Sequence, residues 1–292
     1  MTLPAAPPSD VYALHRPARQ TTAVVFSSPH SGSDYRPEFI ARSALDRRTI
    51  RSSEDAFVDR LFDMAPQLGA PLLAARVPRA FIDLNRAPDE LDPAVIEGLA
   101  RTPHNPRVSS GLGVIPRVVA GGRAIYSGKL PLAEAEARIA RFWHPYHRAL
   151  HGLVEQTHRQ FGEVLLIDCH SMPHEAIDAH VRPGQARPEV VLGDRFGAAA
   201  GRDMMDRVEA AFSGAGLRVA RNAPFAGAYI AQAYGRPSRN SHVVQIEIDR
   251  ALYMDEQRIL PRSDFATFRA LMAGVMAEIT VGLRGAMPLA AE

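Results

Sequence analysis

Three apolar segments of the chain lead into side chains that could bind a metal ion or move a proton. His30 follows the apolar run 23–28, and His170 follows the run 164–167. Glu247 is a carboxylate inside an otherwise apolar run, where a buried charge needs a compensating partner. Ligands of open α/β sheets bind beyond the carboxyl ends of the strands, so we expect these residues to meet there. Taken singly, each histidine could instead be a hydrogen-bonded loop residue, and Glu247 could face water from an edge strand.

A third metal ligand would have to be a carboxylate from elsewhere in the chain. Two histidines and one carboxylate, with a fourth position open, form a typical catalytic zinc site. The candidates are Asp34, Glu54 and Asp55, and Asp55 could equally cap a following helix. Asp168, two residues before His170, could orient that imidazole. Because the chain has no HExxH or CxxC motif, spacing alone does not establish the site.

A second group of residues suits the binding of a carboxylate. Arg79 precedes a strand predicted over 80–84, which leads into Asn85 and Arg86. A guanidinium binds a carboxylate through two parallel hydrogen bonds. Each arginine could instead pair with a surface acid, which is the more common arrangement.

Four histidines lie close together on one predicted helix: His144, His147, His151 and His158. Two of them, His147 and His151, are spaced to share a metal, but no glutamate follows His147 and Pro145 interrupts the pattern. A polar border beside the apolar stripe is the better interpretation. We retain only His147, as a candidate hydrogen-bond donor in the active site.

Apolar runs typical of strands alternate along the chain with patterns typical of helices. Strands are predicted over 23–28, 71–77, 80–84, 163–168, 189–192, 217–220 and 242–248. Helices are predicted over 56–68, 132–161, 195–212 and 264–283. The region 86–127, rich in proline, glycine and arginine, is predicted to form long loops over one face. This alternation predicts an α/β fold with a mixed, mostly parallel central sheet flanked by helices.

The composition narrows the functional classes. The chain has 292 residues and a net charge of +2, with no basic stripe or aromatic platform, so we expect no nucleic-acid partner. No apolar run is long enough to cross a membrane. The single cysteine, Cys169, excludes an internal disulfide, and the N-terminus does not resemble a signal peptide, so the predicted location is the cytoplasm. We expect a single domain over 21–284, an N-terminal extension over 1–20 that could be poorly ordered, and a tail over 285–292.

The segments that carry these residues are, taken together, similar to a known family. In chain order they are Ser28-Pro29-His30-Ser31-Gly32, Glu54-Asp55, Arg79 with Asp83-Leu84-Asn85-Arg86, Trp143-His144-Pro145-Tyr146-His147, Asp168-Cys169-His170-Ser171, Asn222-Ala223-Pro224-Phe225 with Gly227, and Gln245-Ile246-Glu247 with Leu252-Tyr253. This ordered set resembles the N-formylglutamate amidohydrolase family. The resemblance implies a zinc-dependent amidase whose fold is related to zinc carboxypeptidases and aminoacylases.

The resemblance also implies the ligands of one zinc ion, or another divalent metal, per chain. By matching position the ligands are His30, Asp55 and His170, with Glu54 as the alternative to Asp55. Two departures from related patterns stand out. Ser33 occupies the place of the glutamate in a carboxypeptidase-type HxxE pair, and residues 225–228 read Phe-Ala-Gly-Ala rather than Tyr-x-Gly-Gly.

The same resemblance implies roles for the remaining candidates. Glu247 matches the general base, which takes a proton from a zinc-bound water as it attacks the formyl carbon. His147 and Arg86 are further catalytic candidates, able to stabilise the oxyanion. The candidates for binding substrate are Arg79, Asn85, Arg86 and Asn222. The implied reaction converts N-formyl-L-glutamate to formate and L-glutamate, as in histidine degradation.

Two other functions stay open from the sequence. A zinc deacylase for a different N-acyl amino acid would have the same metal site, because the acyl pocket sets the choice. A non-catalytic metal- or ligand-binding protein is less favoured, because a buried Glu247 is costly without a task. The expected partner is a small acidic N-acyl amino acid, and a homo-oligomer is compatible with the sequence.

Overall fold

The computed structural model describes residues 10–99, 105–180, 184 and 186–283, which fold around one seven-stranded sheet. Its strands are β1 (Tyr12–His15), β2 (Val24–Ser28), β3 (Leu72–Ala75), β6 (Val164–Met172), β7 (Val190–Gly193), β8 (Val219–Arg221) and β9 (Ser241–Asp249). Two small ribbons are formed by β4 (Val118–Val119) with β5 (Arg123–Ala124) and by β10 (Met254–Asp255) with β11 (Leu260–Pro261).

The strand order across the large sheet is β1-β3-β2-β6-β9-β7-β8. β2 is parallel to β3 and β6, β6 is parallel to β9, and β7 is parallel to β8. The pairs β1–β3 and β7–β9 are antiparallel. The predicted mixed, mostly parallel sheet is therefore confirmed. Every residue of β6 is buried, as expected for a central strand covered on both faces.

Helices cover both faces of this sheet. They are α1 (Pro37–Arg42), α2 (Val58–Leu61), α3 (Pro106–Ser109), α4 (Leu132–Arg138), α5 (His144–Phe161), α6 (Arg202–Gly214), α7 (Tyr229–Tyr234) and α8 (Phe265–Val281). Successive side chains of β6 alternate between two apolar cores. Leu165 and Ile167 pack in the core that contains α2, α6 and α8, whereas Val164 and Leu166 pack in the core that contains α4, α5 and α7.

Two predicted strands differ from the structure. Residues 80–84 form turns and irregular backbone, because the N–H groups of Phe81 and Ile82 both bond to the Pro78 carbonyl, at 2.9 and 3.2 Å. The prediction of a strand there is wrong. The strand predicted to end at 168 instead continues to Met172, so His170 lies inside β6 and not beyond it.

The helix predicted over 56–68 is also wrong in extent. Phe57 has a left-handed φ of 66°, which prevents a helix from starting before Val58. The segment then forms the single turn of α2 and a separate 3-10 turn at Ala65–Leu68.

The helix predicted over 132–161 is continuous but not uniform. A π-helical segment, Ile139–Trp143, joins α4 to α5. Pro145 lies in the first turn of α5, the position where a missing N–H is tolerated. The helix predicted from 195 starts only at Arg202, since Arg195 and Phe196 have left-handed φ values of 55° and 57°.

The ends of the chain bear on the predicted boundaries. Strand β1 falls in the segment assigned to the N-terminal extension, so the sheet begins before residue 21. Residues 1–9 and the predicted tail 285–292 lie outside the described residues. None of the helices described in the structure combines the length and the apolar character needed to cross a membrane.

Candidate active site

The carboxyl ends of three adjacent parallel strands bring distant residues together. His30 lies two residues beyond β2, and His170 lies near the end of β6. Glu247 of β9 is the register partner of His170. Asp168 and His170 continue the row of Val164 and Leu166 on one face of β6, beyond the point where the apolar core ends.

His30, Asp55 and His170 form a buried cluster suited to a metal ion. One ligand atom from each of the three residues lies within 4.8 Å of the others. The Oδ2 atom of Asp55 is 3.5 Å from Nδ1 of His30 and 3.0 Å from Nδ1 of His170. Both imidazoles therefore present the same nitrogen to one carboxylate oxygen.

The other nitrogen of each imidazole faces a second carboxylate. His30 Nε2 is 2.7 Å from Asp83 Oδ1, and His170 Nε2 is 3.1 Å from Asp168 Oδ1. A carboxylate at this position fixes a metal-binding histidine in the tautomer that leaves its other nitrogen free for the ion. Nδ1 of His30 is buried and has no hydrogen-bond partner among the described residues. The donor set fits a zinc-type cation bound through the two Nδ1 atoms and Asp55.

Asp55 is held in place from several directions. Its backbone N–H bonds to the His30 carbonyl at 3.1 Å, and its Oδ1 accepts from Arg250 Nη2 at 3.0 Å. Burial opposes ionisation, but the hydrogen bond from His170, together with the nearby His30 and the charge of Arg79, outweighs it and holds the pKa of Asp55 well below its usual range.

Glu54, the alternative ligand, points elsewhere. Its two oxygens accept from Arg51 Nη2 and Nε at 2.8 and 2.9 Å. Among the two neighbouring acids, the structure therefore places Asp55 and not Glu54 with the histidines.

Glu247 lies beside this cluster. Burial raises the pKa of Glu247 to about 7. The negative charges of Asp55 and Asp168 act in the same direction, whereas His170 and Arg79 act in the opposite one. Gln245 Nε2 donates to Glu247 Oε1 at 2.9 Å, while Gln245 Oε1 accepts from the Ala228 N–H at 3.0 Å. A carboxylate with a pKa near neutrality can both accept and donate a proton during one reaction cycle.

A cavity of about 460 Å³ opens onto the cluster and is rich in arginine. Its lining includes the two histidines, Glu247 and four arginines: Arg79, Arg86, Arg107 and Arg250. Sequence reasoning missed two of these. Arg250 follows β9 directly and could have been found as a charged residue at a strand end, whereas Arg107 lies in the short helix α3, inside the region predicted to form long loops.

The predicted carboxylate binders are engaged to different degrees. Arg79 Nη2 bonds to Asp83 Oδ2 at 3.0 Å, and its Nη1 is 3.9 Å from Asp55 Oδ1. Asn85 Nδ2 donates to Asp168 Oδ2 at 2.9 Å, and its Oδ1 accepts from the Ile230 N–H at 2.7 Å. Asn85 therefore lines the cavity, but its side-chain amide is already hydrogen-bonded to other residues of the protein.

Two predicted site residues lie away from the cavity lining. His147 stacks on Trp143, with ring centroids 4.0 Å apart, and its nitrogens bond to the Leu84 carbonyl and the Tyr234 hydroxyl at 2.8 and 2.9 Å. Burial lowers its pKa to about 4, so the ring is neutral at physiological pH. This position does not support a catalytic role, and the residue instead anchors the backbone next to Asn85.

Asn222 likewise serves the local backbone. Its Oδ1 accepts from the N–H groups of Asp194 and Phe196 at 3.0 and 3.2 Å, and its Nδ2 donates to Asp194 Oδ1 at 2.8 Å. Asn222 has a left-handed φ of 59°, a conformation that asparagine adopts more readily than most residues. Its side chain is thus committed to a turn and does not reach the cavity lining.

Comparisons with known proteins identify the family of this chain. The model of the N-formylglutamate amidohydrolase family matches residues 22–254. A curated N-formylglutamate deformylase of Pseudomonas aeruginosa is 32% identical over 243 residues, covering 82% of this chain and 85% of that protein. A protein of the same name from Pseudomonas putida is 29% identical, covering 80% of this chain and 82% of that protein.

Solved structures show the same relationship. A crystal structure of N-formylglutamate amidohydrolase from Ralstonia eutropha JMP134 has a TM-score of 0.87 and 35% identity, covering 94% of this chain and 98% of that one. A gene product of Agrobacterium tumefaciens shares the fold. Its structure has a TM-score of 0.61 and 17% identity, covering 93% of this chain and 96% of that one. The chain therefore belongs to the N-formylglutamate amidohydrolase family and is a hydrolase of a non-peptide amide bond.

Proposed function

We propose that the protein hydrolyses N-formyl-L-glutamate to formate and L-glutamate with the help of one zinc ion, or another divalent metal. The observation that carries this proposal is the convergence of His30, Asp55 and His170 beside Glu247 in a member of this family. The reaction would belong to histidine degradation. The free, buried thiol of Cys169 is compatible with the reducing cytoplasm as its location.

The metal would be held by Nδ1 of His30, Nδ1 of His170 and Oδ2 of Asp55. Asp83 supports this assignment, because its hydrogen bond with His30 Nε2 would fix the tautomer of that histidine. Nε2 of His170 lies 3.1 Å from Asp168 Oδ1 and 3.0 Å from Asn85 Nδ2. When bound, such an ion would polarise the formyl carbonyl and acidify a water molecule.

Glu247 would move the proton. Gln245 occupies its Oε1, so Oε2 is available to accept a proton from the water that attacks the formyl carbon. As the C–N bond breaks, Glu247 returns that proton to the departing amine nitrogen. Its pKa of about 7 suits both transfers near neutral pH.

The arginines of the cavity would bind the acidic substrate. Arg79, within 3.9 Å of Asp55, is the best placed to face charge developing near the cluster, and Arg86 stands further along the wall. Asn85 would act indirectly, by holding Asp168 in the position that orients His170.

The direct test combines metal analysis with product detection. The purified protein should contain about one divalent metal per chain and release formate from N-formyl-L-glutamate, and chelation should remove both properties. N-Acetyl- and N-succinyl-L-glutamate, assayed alongside, distinguish a deformylase from a deacylase of another specificity. Metal-loaded protein that releases no formate would refute the proposal.

A further inference from the structure

Arg86 and Arg107 are linked through one residue of the cavity wall, Leu112. Arg86 Nε donates to the Leu112 carbonyl at 2.9 Å, and the Leu112 N–H donates to the Arg107 carbonyl at 2.8 Å. Gly111, with a left-handed φ of 80°, makes the turn that allows this link. The Arg86 side chain and the Arg107 backbone are thus both bonded to Leu112, and both arginines line the same cavity.

The four arginines of the cavity differ in what their guanidiniums bond to. Arg86 donates from Nε to the Leu112 carbonyl at 2.9 Å and from Nη1 to the Asn85 carbonyl at 3.0 Å, and both of these acceptors are uncharged. Arg79 and Arg250 are paired with Asp83 and Asp55, at 3.0 Å each. The Arg107 guanidinium, by contrast, bonds to none of the residues that the structure describes, although its backbone N–H is taken by Asn105. Two parallel N–H groups of a guanidinium match the two oxygens of a carboxylate.

The charge around Arg86 and Arg107 is not balanced by the neighbouring acid. Arg86 is 8% exposed, and the closest carboxylate recorded for it is Glu90, 3.9 Å from its Nε. One carboxylate at that distance does not neutralise two guanidiniums. Burial, together with the charges of Arg79 and Arg107 and in spite of Asp83, lowers the pKa of Arg86. An incoming anion would relieve this unfavourable balance.

We propose that Arg86 and Arg107 together form the subsite for the substrate carboxylate farther from the scissile bond, and that Arg107 determines the preference for acidic substrates. The inference rests on the proposed deformylase function and deepens it. Arg79 stands next to the metal cluster, whereas Arg107 is exposed at the outer part of the cavity. The carboxylate of the substrate side chain, remote from the formamide, is the one that reaches this outer position.

The test compares N-formyl-L-glutamate with N-formyl-L-glutamine, an isostere that keeps the α-carboxylate but has a neutral side chain. For Arg107→Gln we expect the ratio of the two kcat/KM values to fall by about 10- to 100-fold, mainly through KM for the acidic substrate, because a charge-assisted pair is lost. Arg107→Lys should keep part of the selectivity. Arg159→Gln, on an exposed part of α5, makes the same charge change away from the cavity and should keep the wild-type ratio.

The outcomes separate this inference from the function it rests on. An unchanged ratio in Arg107→Gln, or an equal loss for both substrates, overturns the subsite while leaving the deformylase function intact. Should the wild-type protein release no formate at all, calorimetry with L-glutamate and L-glutamine still tests the subsite in the metal-loaded protein. Weaker L-glutamate binding in Arg107→Gln supports it, and equal binding overturns it.

Discussion

Two sides of the cavity are built on different principles. We call the first the sheet end, formed by His30, Asp168, His170 and Glu247, and the second the loop wall, formed by Arg86, Arg107 and Leu112. At the sheet end, side chains are placed by three paired strands, whereas the loop wall is held by isolated hydrogen bonds such as that from Arg86 to the Leu112 carbonyl, at 2.9 Å. Under the function that we propose, the sheet end would carry out the chemistry, which needs fixed geometry, and the loop wall would select the substrate.

The largest effect should come from the sheet end. We expect His170→Ala to lose the bound metal and to abolish formate release, because it removes one of the three proposed ligands. Metal analysis and the formate assay measure both. His151→Ala, exposed on α5, is the matched control and should retain metal and turnover. A His170→Ala protein that keeps full metal occupancy breaks the assignment.

The next effect separates catalysis from metal binding. Glu247→Gln should retain the metal but lower kcat by about 100- to 10,000-fold, because an amide cannot accept and return the proton. Turnover at the wild-type rate would show that the base lies elsewhere.

A smaller effect should follow from the carboxylates behind the histidines. Asp83→Asn is expected to weaken metal affinity by about 10- to 100-fold, since the amide no longer stabilises the required tautomer of His30. Competition with a calibrated chelator measures this change. Unaltered affinity would mean that His30 is positioned without Asp83.

On the loop wall the effect should appear in KM. Arg86→Gln is expected to raise KM for N-formyl-L-glutamate by about tenfold or more, with a smaller change in kcat, because the residue contacts a part of the substrate that does not react. Steady-state kinetics against Arg159→Gln test this. A decrease in kcat with an unchanged KM would indicate that Arg86 takes part in the chemical step and not in substrate binding.

The smallest catalytic effect should occur at Asn222, which belongs to neither side. Asn222→Ala should lower the free energy of unfolding by about 2 kcal/mol, because three hydrogen bonds to the 194–196 turn are lost, and should leave KM nearly unchanged. Asn240→Ala removes another left-handed asparagine and controls for the backbone cost alone. A large rise in KM with unchanged stability would restore Asn222 as a substrate contact.

The same division explains what could be predicted from the sequence. The runs that form β2, β6 and β9 are largely apolar, so their burial could be predicted from residue type alone. The meeting of His30, His170 and Glu247 could be predicted in the same way, because parallel strands bring their carboxyl ends to one edge of the sheet. Sequence could not distinguish Glu54 from Asp55, since the choice depends on Arg51 capturing the former.

In other parts of the chain the sequence pattern gave a wrong prediction, because tertiary contacts determine the local structure. The apolar residues of 80–84 are compatible with a strand, but turn bonds to Pro78 and a bond from Asp83 N–H to the Val114 carbonyl, at 2.8 Å, fix another path. His147 and Asn222 are polar residues in distinctive motifs, yet both stabilise backbone segments. Arg107 lies in α3, a single helical turn that is too short to show apolar periodicity and that is capped by the Asn105 side chain.

The pairing of His170 with Glu247 across β6 and β9 has a consequence for how this protein could diversify. Their separation is governed by the spacing of adjacent strands, about 4.8 Å, and by backbone pairing that no single side-chain exchange alters. Laboratory evolution aimed at other N-formyl amino acids could therefore randomise the region around Leu112 while the distance between the proposed ligand His170 and the proposed base Glu247 stays constant.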